Sequence, residues 1–213
     1  MFGSEEFANK IDVSRETLQR LSIFADLLPK WQSRMNLVAD STLDQIWKRH
    51  MLDSAQIIPL IRKYYPELDK PVWLDLGSGA GFPGMVAAIM GAGPVEMVES
   101  NTKKCSFLRQ VLVQTGTEAK IHNCRIEDMP VKLANIITAR ALAPLPELLN
   151  LAHKFIGPET EFWLLKGQDV EEELTEATIY WNMEVEIHLS LSDPNGRILR
   201  VRKVRRKDGK KDN

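Results

Sequence analysis

Apolar residues recur every third or fourth position through the first sixty residues, and then the period changes. Leu18, Leu21, Phe24, Leu27 and Leu28 fall on one helical face behind Ser14, which predicts a helix with that serine as its N-cap. Glu16 stands one position too early for a full capping box. Ile46, Trp47, Met51, Leu52, Ala55 and Ile58 make a second stripe, predicting a helix from Asp44 to Ile61. Pro66 and Pro71 bracket a linker. Short apolar runs then alternate with amphipathic stretches. Strands are predicted at 72–76, 95–99, 119–123, 135–139, 161–166, 183–190 and 197–204, with helices at about 83–91, 103–115, 146–156 and 169–180. Alternation of this kind builds a largely parallel sheet with helices on both faces. Only Ser192-Asp193-Pro194-Asn195-Gly196 separates the last two strands, which predicts an antiparallel hairpin closing the sheet. The expected division is a helical extension over 1–70, an α/β domain over 71–204 and a basic tail over 205–213.

The first strand runs into Gly77-Ser78-Gly79-Ala80-Gly81-Phe82-Pro83-Gly84, and the second ends in Glu99. Glycines let the backbone turn sharply beside a ligand. An acid ending the second strand suits ribose hydroxyls. Together they predict a nucleoside cofactor, and two candidates fit. Gly79 to Gly84 satisfies the dinucleotide pattern G-x-G-x-x-G, with Glu99 standing 20 residues after Gly79. Against a dinucleotide, Asp75 places a carboxylate at the strand end, which suits a cation and repels a pyrophosphate. Pro83 removes a backbone N–H where phosphate binding needs donors. S-adenosylmethionine fits better. A parallel sheet closing in an antiparallel hairpin is also the class I S-adenosylmethionine methyltransferase topology. Ile126-Glu127, after the third strand, stands where an apolar and a polar residue hold an adenine.

The 213 residues, 44% hydrophobic and 27% charged, suit one full-sized α/β domain with an accessory segment. No apolar run approaches the roughly 20 residues needed to span a bilayer. The N-terminus, with Glu5, Glu6 and Asp12, does not read as a signal peptide. Cys105 and Cys124 lack metal-ligand spacing, so no metal and a reduced cytoplasmic setting are expected. The net charge of −1 hides an asymmetry: Arg197 to Lys211 carries nine Lys/Arg and one Asp, against 19 Lys/Arg and 28 Asp/Glu elsewhere. That predicts a polyanionic partner such as nucleic acid. The expected basic face combines Lys30, Arg34, Lys48, Arg49, Arg62, Lys63 and the tail, with Arg205 and Arg206 in it. The acidic helix beginning at Asp169 is expected to face away.

The [DN]-P-P-[YF] signature of exocyclic-amine methylation is absent, and neither cysteine sits in a Pro-Cys setting. A target that needs no base, such as guanine N7, suits this chain. Here the chain resembles the glucose-inhibited division protein B family, methyltransferases of guanine N7 in bacterial small-subunit rRNA. The segments carrying the resemblance run in order from about residue 20 to 170. They are Trp31-Gln32-Ser33-Arg34-Met35-Asn36-Leu37, Arg49-His50-Met51-Leu52-Asp53-Ser54, the turn from Asp75 to Gly84, Lys103-Lys104-Cys105-Ser106-Phe107-Leu108-Arg109-Gln110-Val111, Arg125-Ile126-Glu127, Thr138-Ala139-Arg140-Ala141 and Lys166-Gly167-Gln168. The resemblance implies that Gly77, Phe82, Ile126, Glu127 and Arg140 contact S-adenosylmethionine, with Glu99 near the ribose. Phe82 replaces the Leu often found there, and Glu99 the Asp of many relatives. Asp75, Gly79 and Gly81 complete the expected cofactor site, and Arg140, Arg125 and Lys166 are expected to position guanine and phosphates. The implied partner is 16S rRNA in the small ribosomal subunit, met by a monomer. His50 and Asp53, one helical turn apart, read as a packing hinge, and Asn36 as a loop residue reaching the site. Other readings stay open: an NAD(P)-binding oxidoreductase, a methyltransferase of another RNA, small molecule or protein, or a non-catalytic RNA-binding protein.

Overall fold

Seven strands form one sheet in the order β3-β2-β1-β4-β5-β7-β6. They are β1 (Trp73–Leu76), β2 (Val95–Val98), β3 (Lys120–His122), β4 (Ile136–Arg140), β5 (Glu161–Lys166), β6 (Trp181–Leu189) and β7 (Arg197–Arg206). The computed structural model describes residues 2–66 and 70–207. Strands β1 to β5 are parallel, and β7 runs antiparallel to both β5 and β6. This is the topology predicted from the alternation, and it defines a class I S-adenosylmethionine methyltransferase fold. The chain moves outward from β1 to β3 and then returns to β4 on the other side of β1. The strand order reverses there, which is where open α/β sheets bind ligands. Every residue of β1 and β2 is buried, as expected for strands covered on both faces.

Side chains alternate between two cores. On one face Trp73, Met97 and Trp163 pack against α2 (Arg15–Gln32), α4 (Ile57–Tyr64), α5 (Gly84–Ile89) and α6 (Thr102–Thr115). On the other, Leu74, Ile137 and Phe162 pack against α7 (Leu145–Ala152) and α8 (Val170–Tyr180). The N-terminal helices share the first core, so they are a layer of the α/β domain. Phe7 of α1 (Ser4–Ala8) and Phe24 of α2 are fully buried in it. The Ser14 hydroxyl accepts the Thr17 N–H at 3.1 Å, the cap that was expected.

The helix predicted from Asp44 to Ile61 is not one helix. A 3₁₀ turn (Asp40–Gln45) leads into a π-helical turn (Trp47–Leu52), then α3 (Asp53–Ala55), then α4. Pro59 has no N–H for the Ala55 carbonyl. The helix breaks at Gln56, whose side-chain amide donates to the Asp53 carbonyl at 3.0 Å. A single π turn inside a helix re-aims side chains and recurs at functional sites; this one carries Arg49 and His50.

Antiparallel pairing fixes the ends of the hairpin. Arg197 pairs with Lys166, so the 190–196 loop stands at the carboxyl edge of the parallel strands. Arg205 and Arg206 pair with Asn182 and Trp181, at the opposite edge. Residues 208–213 of the predicted tail and 67–69 of the predicted linker lie outside the described residues.

Candidate active site

The turn after β1 is fixed by its backbone. Gly77 has φ +65°, and a Cβ there would lie 2.6 Å from Leu142 Cδ1, so only glycine satisfies both conditions. The Gly79 N–H donates to Glu99 Oε2 at 2.8 Å, and the Asn101 N–H donates to Oε1 at 2.7 Å. Glu99 therefore clips the two strand-end turns together, and each oxygen keeps acceptor capacity for a ligand.

Two expected cofactor residues stand behind the wall. Gly81 faces inward, where a Cβ would meet Met85 Cβ at 2.7 Å and Leu108 at 3.0 Å, so it is a packing glycine. Asp75 is buried, its Oδ1 accepting the Thr138 hydroxyl at 2.7 Å. Burial pushes its carboxyl up to about 6 against the pull of that hydroxyl. The carboxylate expected to face a cationic ligand instead braces β1 against β4, because its side chain stands on the α5 face, where a Cβ on Gly84 would meet its Oδ2 at 2.7 Å.

A cavity of about 1480 Å³ opens over the strand ends. Of the expected residues, Gly77, Gly79, Phe82, Glu99, Arg125, Ile126, Glu127, Arg140 and Lys166 line it. Single-ligand pockets run from about 300 to 1,000 Å³, so there is room for a nucleoside cofactor and an inserted base. Ile126 is buried, Glu127 and Arg125 are exposed, and the Arg125 guanidinium has no partner among the described residues.

The far wall comes from the extension. Arg140, ending β4, donates from Nη1 to the Arg49 carbonyl at 3.1 Å and to Asp53 Oδ2 at 3.3 Å. Its Nη2 lies 3.0 Å from Nδ1 of His50, and Cζ stands 4.9 Å from the Phe82 ring centre. The His50 ring stacks on Phe82 at 5.0 Å, and Phe24 stacks on Phe82 at 5.0 Å. Burial, then the Arg140 and Arg49 charges, push His50 down to about 3, so the ring is neutral near pH 7. The Ser192 hydroxyl donates to Asp53 Oδ1 at 2.6 Å, and Arg49 pairs with Asp193, joining the hairpin loop to the same cluster. The expected packing hinge of His50 and Asp53 is thus a ring of contacts around Arg140. Asn36 lines the cavity as well. Sequence reasoning passed over Phe82 as the shared platform, Thr42 beside His50, and the hairpin residues Ser192 and Asp193. The R-H-x-x-D-S spacing was the one signal pointing to this wall.

Three charged features depart from expectation. Lys166 lines the cavity, yet its ammonium donates to Glu173 at 2.6 Å and to the Ala143 carbonyl at 2.9 Å. Its charge is answered within the protein, which makes it a brace before it is a phosphate ligand. Asp169 and Glu173 border the cavity, so the start of the acidic helix does not face away; Glu173 is neutralised there by Lys166 and accepts the Leu145 N–H at 2.7 Å. In the basic run, Arg200 is buried on Glu161, and Arg202 and Lys203 pair with Glu184. Arg205 and Arg206, which end that strand, stand on the sheet edge opposite the cavity, with the Arg206 guanidinium over the Trp181 ring. Among the described residues no cluster of His, Cys, Asp or Glu could hold a metal ion, and no helix is long and apolar enough to cross a membrane.

The sheet order and the cavity at its reversal point place the chain among the class I S-adenosylmethionine-dependent methyltransferases in fold. Solved structures agree. A mutant of MtNAS in complex with S-adenosylmethionine superposes with a TM-score of 0.59 over 94% of this chain and 84% of that one, at 13% identity. Pyrococcus horikoshii TYW2 in complex with MeSAdo gives 0.51 over 64% and 57%, at 16% identity. The chain belongs to the GidB family, rRNA small subunit methyltransferase G, whose model matches residues 17–199. The ribosomal RNA small subunit methyltransferase G of Paramagnetospirillum magneticum is 48% identical over 204 residues, covering 96% of this chain and 97% of its own length. That of Rhodospirillum rubrum is 46% identical over 202 residues, covering 95% and 98%.

Proposed function

We propose that this chain transfers the methyl group of S-adenosylmethionine to guanine N7 in the 16S rRNA of the small ribosomal subunit. The observation that carries the reading is the cavity itself. It is large enough for two ligands, with a fixed acid and an apolar wall at one end and a clamped guanidinium at the other. Gly77 and Gly79 would pass the cofactor's methionine end, Glu99 would accept its ribose hydroxyls, and Ile126 and Glu127 would hold its adenine. Bound there, the cofactor supplies a methyl group on a sulfonium, an electrophile that needs no metal.

What remains for the protein is placement. Guanine N7 offers a lone pair and carries no proton, so no side chain has to act as a base. His50 is unsuited to that task, since its Nδ1 is occupied by Arg140 and its basicity is suppressed. Arg140 presents a donor-only group, held over Phe82, to the O6 edge or a phosphate. Arg125 is free to meet a phosphate. Transfer moves positive charge from sulfur to the purine. Seven carboxylate side chains and five cationic ones line the cavity, so it accommodates a cation before and after the step. Arg205 and Arg206 would meet RNA away from the reacting base. We place the enzyme in the cytoplasm as a monomer.

The test is transfer from methyl-labelled S-adenosylmethionine to unmethylated small subunits. Label recovered in the rRNA supports the reading. Label confined to ribosomal protein, or absent despite cofactor binding, removes the substrate and leaves the fold.

A further inference from the structure

Thr42, in the 3₁₀ turn Asp40–Gln45, lines the cavity and sits against the His50 ring that reaches Arg140. Its hydroxyl donates to the Ala39 carbonyl at 2.6 Å. The same oxygen lies 2.8 Å from Nε2 of His50. With its proton directed at Ala39, that oxygen can only accept, so Nε2 carries the hydrogen. On the other side of the ring, Nη2 of Arg140 reaches Nδ1 at 3.0 Å. A guanidinium only donates, so Nδ1 is bare. The two constraints meet in one tautomer of the neutral ring, and stacking on Phe82 fixes its plane.

We propose that Thr42 is a positioning residue for methyl transfer: by accepting Nε2–H it fixes the His50 tautomer whose bare Nδ1 holds the Arg140 guanidinium over Phe82. The proposal rests on the reading that Arg140 meets the substrate. Thr42 is itself held from the end of α2. The Gln32 Oε1 accepts the N–H groups of Leu37 and Val38 at 2.9 and 3.1 Å. The Gln32 Nε2 donates to the Val38 carbonyl at 2.9 Å and to Asp40 Oδ1 at 2.8 Å. Four hydrogen bonds from one amide thus seat the loop that carries Ala39 and leads into Thr42. The extension acts on the reacting end of the cavity through this relay, without a side chain of its own having to touch the methyl group.

Thr42→Val keeps the shape and removes the acceptor. The Nε2–H, in a ring only 6% exposed, then has no partner, and the alternative tautomer aims Nδ1–H at Arg140. Thr42→Ser keeps the hydroxyl. A long-range ¹H–¹⁵N spectrum of the labelled protein reads the His50 tautomer, and steady-state kinetics with small subunits reads transfer. The wild-type and Ser proteins are expected to show the Nε2–H form. The Val protein should lose that single form and about tenfold in kcat, with S-adenosylmethionine affinity within about twofold. A Val protein that keeps the Nε2–H form, or loses it with kcat unchanged, overturns the proposal, as does a Ser protein that fails like Val. If the wild-type protein methylates no rRNA, the functional reading falls, and the nitrogen spectra still decide whether Thr42 sets the ring.

Discussion

The cavity has two walls held in different ways. On the sheet side, Gly77 to Phe82, Glu99 and Ile126 are placed by strand ends, a positive φ and backbone N–H groups. On the extension side, Thr42, His50, Asp53 and the hairpin loop are placed by side chains reaching one another across the fold. A backbone-built wall tolerates little change in residue type but keeps its shape when emptied. A relay of side chains is adjustable, and losing one member leaves the next unsatisfied. The difference suggests a division of labour, with the sheet wall binding the cofactor and the extension wall orienting the guanine.

The largest expected effect comes from breaking the sheet wall. Gly77→Asp forces an L residue into φ +65° and drives its Cβ to 2.6 Å from Leu142. S-adenosylmethionine binding, followed by calorimetry, should fall below detection, and transfer with it. Next comes the extension wall. Arg140→Lys keeps the charge and loses the fork that spans Arg49, Asp53 and His50. Single-turnover transfer should slow by about 100-fold while cofactor affinity changes by less than about threefold. Equal losses in both would mean that the walls do not divide the work.

Asp75→Asn sharpens the sheet wall rather than breaking it. Its carboxyl, raised to about 6, is neutral in both folded and unfolded chains below about pH 4, so no penalty is present there. The penalty grows as pH rises from 4 to 6 and stays constant above, at roughly 3 kcal/mol for a fully buried group. Asn removes it, so the melting temperature at pH 7 should rise by about 6 to 12 °C and its fall between pH 4 and 6 should flatten. Cofactor affinity should stay within about threefold. Collapse of affinity would return Asp75 to the ligand. The smallest effect is expected far from either wall: Arg205→Glu with Arg206→Glu should weaken subunit binding a few-fold and lower the salt slope by about 1 to 2, with kcat unchanged. A fall in kcat would bring the basic end of β7 to the cavity.

The legible parts of this molecule are those its backbone dictates. The glycine turn, the acid ending β2 and the hairpin loop each follow from local rules, and all seven predicted strands form within a few residues of their predicted bounds. The extension wall was legible only as the spacing of His50 and Asp53, because helical periodicity carries no mark of a π turn and Pro59 alone does not say where a ladder breaks. Lys166 shows the other limit: a cation at a strand end looks free in sequence, and its neutraliser, Glu173, arrives from α8 only once the chain is folded. Asp75 misled for a related reason. Strand position set its level in the sheet, while the pleat turned its side chain to the α5 face, beside Thr138 of β4 and against Gly84.

The most direct measurement is the identity of the methylated nucleoside after digestion of rRNA from small subunits treated with the protein and labelled S-adenosylmethionine. The account predicts 7-methylguanosine as the labelled product, lost with Gly77→Asp. Label in any other nucleoside, or 7-methylguanosine that survives that substitution, would contradict it.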